Sequence, residues 1–174
     1  MKKNIPIIVL SSAIAGAGVS YFIFKQIQKS YFYIKSYDKK FEMKFSNKWH
    51  VSKEKNELNE NSNLELINNK DSLCLIMFSK KKSEVNNINL EEYNQNTVNG
   101  IRENNIILSS NKITIHKKNV YITEFYSNYK DVDVHYSIYV LETNNYYHQF
   151  MIASMSGKNY YSKIKNILST LKEI

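Results

Sequence analysis

The twenty residues from Ile5 to Phe24 carry no charge and are mostly apolar, and Lys2 and Lys3 stand directly before them. At about 1.5 Å of rise per residue, a helix of that length matches the roughly 30 Å hydrocarbon core of a bilayer. The run predicts a transmembrane anchor over 5–24 behind a short basic tail, 1–4. A cleaved signal peptide is the competing reading, since Ala13-Ile14-Ala15 and Ala15-Gly16-Ala17 both supply a small-residue cleavage site. Cleavage there would leave Tyr21, Phe22, Ile23 and Phe24 close to a new, exposed end, so an uncleaved anchor is the expectation. A buried core helix rarely needs so long a stretch free of charge. Within the run, Ser12, Gly16 and Ser20 recur every four residues and put small side chains on one helix face, where a second helix can approach closely.

Orientation is contested by the lysines. Lys2 and Lys3 precede the run, whereas Lys25, Lys29, Lys35, Lys39 and Lys40 follow it, and a literal positive-inside count keeps the domain in the cytoplasm. A four-residue basic tail before an apolar run is also the ordinary form of an export signal. The expectation is a single-pass protein of the cell membrane with its domain outside.

The formal charge of +8 suggests a nucleic-acid binder until it is divided. Residues 1–40 hold seven Lys against Asp38, a net of +6; residues 41–174 hold 17 basic against 15 acidic residues, a net of +2. The basic character therefore belongs to the membrane flank, where it can meet anionic headgroups or an anionic wall polymer. Arg102 is the single arginine, and arginine is the side chain that forks onto phosphates and guanine edges. No nucleic-acid partner is expected.

Beyond the anchor, Phe24, Ile27, Tyr31 and Ile34 follow a 3-4-3 spacing, which predicts a helical, basic and aromatic juxtamembrane stalk over 25–40. From Phe41 the period changes. Phe41, Met43 and Phe45 alternate with polar residues, and Trp49 and Val51 follow a Ser46-Asn47-Lys48 turn. A charged, Asn-rich loop covers 53–63. Leu64–Ile67 and Leu73–Phe78 read as two strands joined by a turn, with the lone Cys74 packed in the second. Asn89 caps a helix carrying Leu90, Tyr93, Val98 and Ile101 on one face, with Glu92 as the reciprocal half of a capping box. Strands follow over 106–108, 113–115, 120–127, 132–141 and 146–153, with Asn144-Asn145 as a hairpin turn. In the fourth of these, Val132, Val134, Tyr136, Ile138 and Val140 alternate with Asp131, Asp133, His135 and Ser137. Tyr160, Ile164, Ile167, Leu168 and Leu171 then make a closing amphipathic helix, opened by Ser156-Gly157. The order predicts an α+β domain over 41–174, with two helices covering an antiparallel sheet.

The opening Phe41-Glu42-Met43-Lys44-Phe45 with Trp49, the helix start Leu90-Glu91-Glu92-Tyr93, and the closing Asn145-Tyr146-Tyr147-His148-Gln149-Phe150 strand and helix together resemble the PsbP-like fold. The resemblance covers residues 38–174. It implies an α/β/α sandwich around a central antiparallel sheet. It also implies a binding or assembly module rather than an enzyme, because the fold is shared by extrinsic photosystem II subunits, a nuclear small-GTPase-binding protein and many anchored bacterial proteins. No motif of the photosynthetic or GTPase-binding roles stands in this sequence, and fold alone does not give function.

No catalytic or cofactor motif is present: neither HExxH, CxxC nor G-x-S-x-G occurs, and the four glycines form no phosphate loop. Asp131, Asp133 and His135 share a strand face as a weak metal candidate, outweighed by an ordinary solvated face. The 14 tyrosines are more suggestive, and Tyr126, Tyr136 and Tyr146 mark a candidate recognition surface, with Tyr129, Tyr139 and Tyr147 in the same strands. The expectation is a non-catalytic, membrane-anchored binding or assembly module of the cell envelope. Its partners are the bilayer, through 5–24, and a protein or envelope polymer. The alternative is a structural accessory subunit of a membrane complex that dimerises through Ser12, Gly16 and Ser20.

Overall fold

Between Lys118 and Ser154 the chain alternates side chains of two kinds over three successive stretches, and each becomes a long strand. In the computed structural model these are β7 (Lys118–Tyr129), β8 (Val132–Glu142) and β9 (Tyr146–Ser154). The structure describes residues 31–174 apart from 55–56, 103–104, 130–131 and 155–159, and apart from the side chains of 128, 129, 132 and 133. The anchor over 5–24, with Ser12, Gly16 and Ser20, lies outside the described residues, as do Asp131 and the Ser156-Gly157 helix opening. Among the described residues no helix is long and apolar enough to cross a membrane.

The remaining strands are β1 (Tyr31–Lys35), β2 (Phe41–Ser46), β3 (His50–Val51), β4 (Leu64–Asn68), β5 (Leu73–Lys81), β6 (Ile106–Ile115) and β10 (Lys172–Glu173). The helices are α1 (Leu90–Arg102) and α2 (Tyr161–Leu168), with a 3-10 turn at Lys82–Val85. Seven strands form one sheet in the order β3-β4-β5-β9-β8-β7-β6, antiparallel at every pair, and β1, β2 and β10 form a second, smaller sheet. The architecture is therefore mostly antiparallel sheet with two helices.

Pleating sorts the core into two clusters, one on each face of the large sheet. Tyr121, Phe125, Ile138, Val140 and Tyr147 join Leu90 and Tyr93 of α1 on one face. On the other, Val120, Ile122, Tyr139, Leu141, Phe150 and Ile152 join Phe41, Met43 and Phe45 of β2 and Ile164, Ile167 and Leu168 of α2. The layer opposite α1 is thus a three-stranded sheet plus an eight-residue helix. This corrects the expected α/β/α sandwich: α2 is too short to cover that face alone, and the alternating apolar side of β2 completes it.

Two further expectations change. Residues 31–35 are strand rather than helical stalk, with Ile34 buried at 6 % exposure while Tyr31, Phe32 and Tyr33 stay exposed. The unit that contains the core begins at Tyr33, not Phe41. Both follow from one cause. A partner strand at β2 rewards the β-favouring Tyr-Phe-Tyr-Ile run as strand, and tertiary pairing outweighs a four-residue helical spacing. Leu171, expected on the last helix, instead lies beyond it and leads into β10, whose Lys172 and Glu173 pair with Glu42 and Phe41.

The Asn89 half of the expected capping box is present: Glu92 N–H donates to Asn89 Oδ1 at 2.9 Å. The β8–β9 turn also falls at 143–145, closed by Thr143 N–H donating to the Tyr146 carbonyl. Neither Asn144 nor Asn145 has positive φ, however; among the described non-glycine residues that conformation occurs at Lys39, Ser72, Asn86, Asn87, His116 and Lys117.

Candidate functional site

On the α1 face, the large sheet is only partly covered. β4 begins at Leu64, paired with Met77, so β5 continues past it with an open edge from Phe78 onward. A groove of about 870 Å³ fills the space between that edge, α1 and the loop preceding β4. Pockets of this order hold small molecules or a few residues of a chain.

Its floor is built from three elements. Gln149 of β9 donates through Nε2 to Thr97 Oγ1 at 2.8 Å and to Tyr93 Oη at 3.3 Å. Thr97 Oγ1 in turn donates to the Tyr93 carbonyl one helical turn back, at 3.0 Å. The Tyr93 ring is stacked on Tyr147 at 4.3 Å and 18°, and the Tyr147 hydroxyl donates to the Ile88 carbonyl, tying the loop before α1 to the sheet. Burial raises the Tyr93 phenol above its ordinary value, against the lowering effect of the Gln149 hydrogen bond, so the hydroxyl stays protonated at neutral pH.

The far wall is set by a buried carboxylate. Glu65 has no exposed surface, and it accepts hydrogen bonds from Leu58 N–H (3.1 Å), Asn59 N–H (2.8 Å) and Ser62 Oγ (2.8 Å). Three donors at a desolvated carboxylate replace its water shell and hold the loop in one place. That loop brings Asn61 and Asn63 to the groove, where Asn63 Oδ1 accepts the Ser79 N–H at 2.6 Å. The rim adds Lys80, Glu84, Asn86, Glu92 and Asn96.

A second concavity of about 610 Å³ lies beside the β8–β9 turn, lined by Lys82, Lys118, Glu142, Thr143, Lys172 and Glu173 among others. Its charges are largely spent on one another or on backbone: Lys82 pairs with Glu142 at 2.6 Å, Lys172 with Glu42 at 2.5 Å, and Lys118 Nζ donates to the Leu171 carbonyl at 3.1 Å. Between the two concavities sits His148, fully buried, with Ser79 Oγ 2.8 Å from Nδ1 and Thr143 Oγ1 3.0 Å from Nε2. Burial, with Lys118 and Lys82 nearby, pushes the imidazole down to about 3. A neutral histidine with both nitrogens occupied braces the fold here; it is a poor base at neutral pH.

The sequence-marked tyrosines do not form one surface. Tyr136 lies on the α1 face, stacked on Phe125 at 5.2 Å and 10°. Tyr126 and Tyr146 lie on the other. Tyr126 is 47 % exposed beside His135, whereas Tyr146 packs edge-on against Phe41 at 4.9 Å. His135 aligns with Ser154 in the β8–β9 register, eight residues from Tyr146 along β9 and therefore roughly 27 Å away. Tyr139 and Tyr147 are core residues. His135 itself faces Glu124 at 3.9 Å, and among the described residues no group of three or more His, Cys, Asp or Glu is placed to hold a metal. Cys74 is only partly buried, yet burial pushes its thiol up to about 11, which leaves it protonated and unreactive at neutral pH.

Gln149, Thr97 and Asn96 escaped sequence reasoning. The available signal was local: Asn96 and Thr97 sit three and four residues after a buried helical tyrosine, and Gln149 interrupts an otherwise apolar strand face.

The fold has solved counterparts. A Bacteroides thetaiotaomicron protein superposes with a TM-score of 0.59 at 10 % identity, over 83 % of this chain, which spans about half (48 %) of that protein's length. The cyanobacterial PsbP of Synechocystis superposes with a TM-score of 0.56 at 11 % identity, over 83 % of this chain and 93 % of its own. The domain has the PsbP-like fold. At these identities the likeness concerns the fold alone. No family model matches the chain, and no curated protein matches it.

Proposed function

We infer that this chain is a membrane-anchored, non-catalytic binding module of the cell envelope, with a PsbP-like domain that presents the α1–β5–β9 groove to a partner. The groove supports this reading: its floor is immobilised by stacking and hydrogen bonds, while the side-chain amides of Asn86 and Asn96 on its rim bond to no protein group among the described residues. A site ordered before its ligand arrives loses less entropy on binding. The apolar run over 5–24 supports the membrane attachment, and the basic flank supports its contact with anionic headgroups.

The test is cell fractionation of the full chain and of a chain lacking 5–24, combined with protease treatment of intact cells. The expected result is a full chain that stays with membranes after an alkaline wash, a shortened chain that does not, and digestion of 41–174 from outside. A full chain released by the wash sinks the anchor, and a domain protected in intact cells but digested after lysis sinks the envelope placement. A saturable turnover abolished by changing one groove residue sinks the non-catalytic reading.

A further inference from the structure

We propose that the groove between α1 and the β5 edge binds an uncharged, polyhydroxylated chain, an oligosaccharide. This deepens the binding-module reading and rests on it. The chemistry of the lining carries the inference. Asn61, Asn63, Asn86 and Asn96 contribute neutral amides that both donate and accept, which is the pairing a sugar hydroxyl requires, and Gln149 adds its Oε1 as an acceptor. Their side chains are largely unspent among the described residues: the amides of Asn61, Asn86 and Asn96 bond to no protein group, Asn63 uses only Oδ1, and Gln149 uses only Nε2. Phe78, half-buried on the same wall, supplies an apolar platform for the C–H face of a pyranose.

Charge excludes the nearest rival. Glu84 and Glu92 stand against Lys80, so the lining is formally −1 and offers a polyanion one lysine against two carboxylates. The anionic wall polymer considered for the basic membrane flank does not suit this site. A peptide adding to the open β5 edge is disfavoured for a different reason. The Ser79 N–H, which a new strand would need, is already spent on Asn63 Oδ1 at 2.6 Å.

The test uses the full chain in lipid nanodiscs, since glucoside and maltoside detergents would compete. Maltohexaose, cellohexaose and tetra-N-acetylchitotetraose are titrated by calorimetry up to about 10 mM, which covers millimolar dissociation constants. Poly(glycerol phosphate) and an unstructured Ser/Thr-rich peptide are the counter-probes. The expected result is saturable binding of at least one oligosaccharide, weakened at least about fivefold by Asn96→Ala and by Asn61→Ala, and unchanged by Lys117→Ala in the distant β6–β7 turn. Both asparagines are exposed, so these variants keep the fold, and unchanged circular dichroism checks this. No binding by any oligosaccharide, binding indifferent to both asparagines, or stronger binding of either counter-probe overturns the proposal. Because fractionation and protease accessibility are read separately, such a failure with those results intact removes the ligand class and leaves the anchored module standing.

Discussion

Ser79 Oγ and His148 Nδ1 lie 2.8 Å apart across the paired strands β5 and β9, and the imidazole itself is fully buried. The imidazole stays neutral in the folded chain down to a pKa of about 3, mainly through burial, whereas an unfolded histidine titrates near 6.5. Between those values the unfolded chain takes up a proton that the folded chain refuses. Stability from this group is therefore complete above about pH 6.5 and declines as pH falls toward 3, by at most about 1.4 kcal/mol per pH unit. Urea unfolding of the native chain and of His148→Gln, followed from about pH 7 to 4, is expected to give a shallower decline in the variant. Parallel declines contradict the assignment.

Glu65 is expected to be intolerant of even its amide. Glu65→Gln turns one acceptor into an NH₂ group that faces Leu58 N–H, Asn59 N–H or Ser62 Oγ, leaving donors opposed in a buried site. The loss expected is about 1–3 kcal/mol in urea titration, with faster amide exchange confined to 57–63. A variant as stable as the native chain, with unchanged exchange, refutes the clamp.

Tyr147→Phe removes one hydroxyl and keeps the stacked ring. It orphans the Ile88 carbonyl, so a loss of about 1–2 kcal/mol is expected, with loosening before α1 seen by hydrogen exchange. A change below about 0.3 kcal/mol means the hydrogen bond contributes nothing there.

Asn89→Ala strips the acceptor for Glu92 N–H, and thermal unfolding is expected to report about 0.5–2 kcal/mol. Lys163→Ala is expected to cost less, under about 1 kcal/mol, although Lys163 lies 2.9 Å from Asp71 and its hydrogen bond lowers that carboxyl's pKa. Half of the lysine side chain is exposed, so water competes for the ion pair. Reversal of this order in one denaturation series contradicts the ranking.

How much of this was legible in the sequence depends on the range of the interactions. The alternation of Val134, Tyr136, Ile138 and Val140 against His135 and Ser137 declares β8 without any neighbour, because period two is written in adjacent residues. The face opposite α1 was legible only in part. His135 and Ser137 leave it polar at one end, whereas Tyr139 and Leu141 bury it at the other. Strands β1 and β10 were not legible: five and two residues carry too little period, and β10 exists because β2 offers it an edge. The groove was hidden for a related reason. Gln149 and Thr97 are 52 residues apart and meet only once β9 passes beneath α1. Asn61 and Asn63 read as solvated loop, since nothing local reveals that Glu65 has been buried to hold them.

The short strand β10 has a mechanical meaning. Glu173 pairs with Phe41, and Ile174 N–H donates to the Lys40 carbonyl at 2.9 Å, so the last strand is stitched to the start of β2 in the small sheet. That sheet meets the seven-stranded one through Phe41, Met43 and Phe45 rather than through shared hydrogen-bond ladders. A pull on the N-terminal side of the domain is expected to load that small sheet first, and the Tyr37 N–H that donates to the Asn63 carbonyl at 2.8 Å carries part of it into the loop lining the groove.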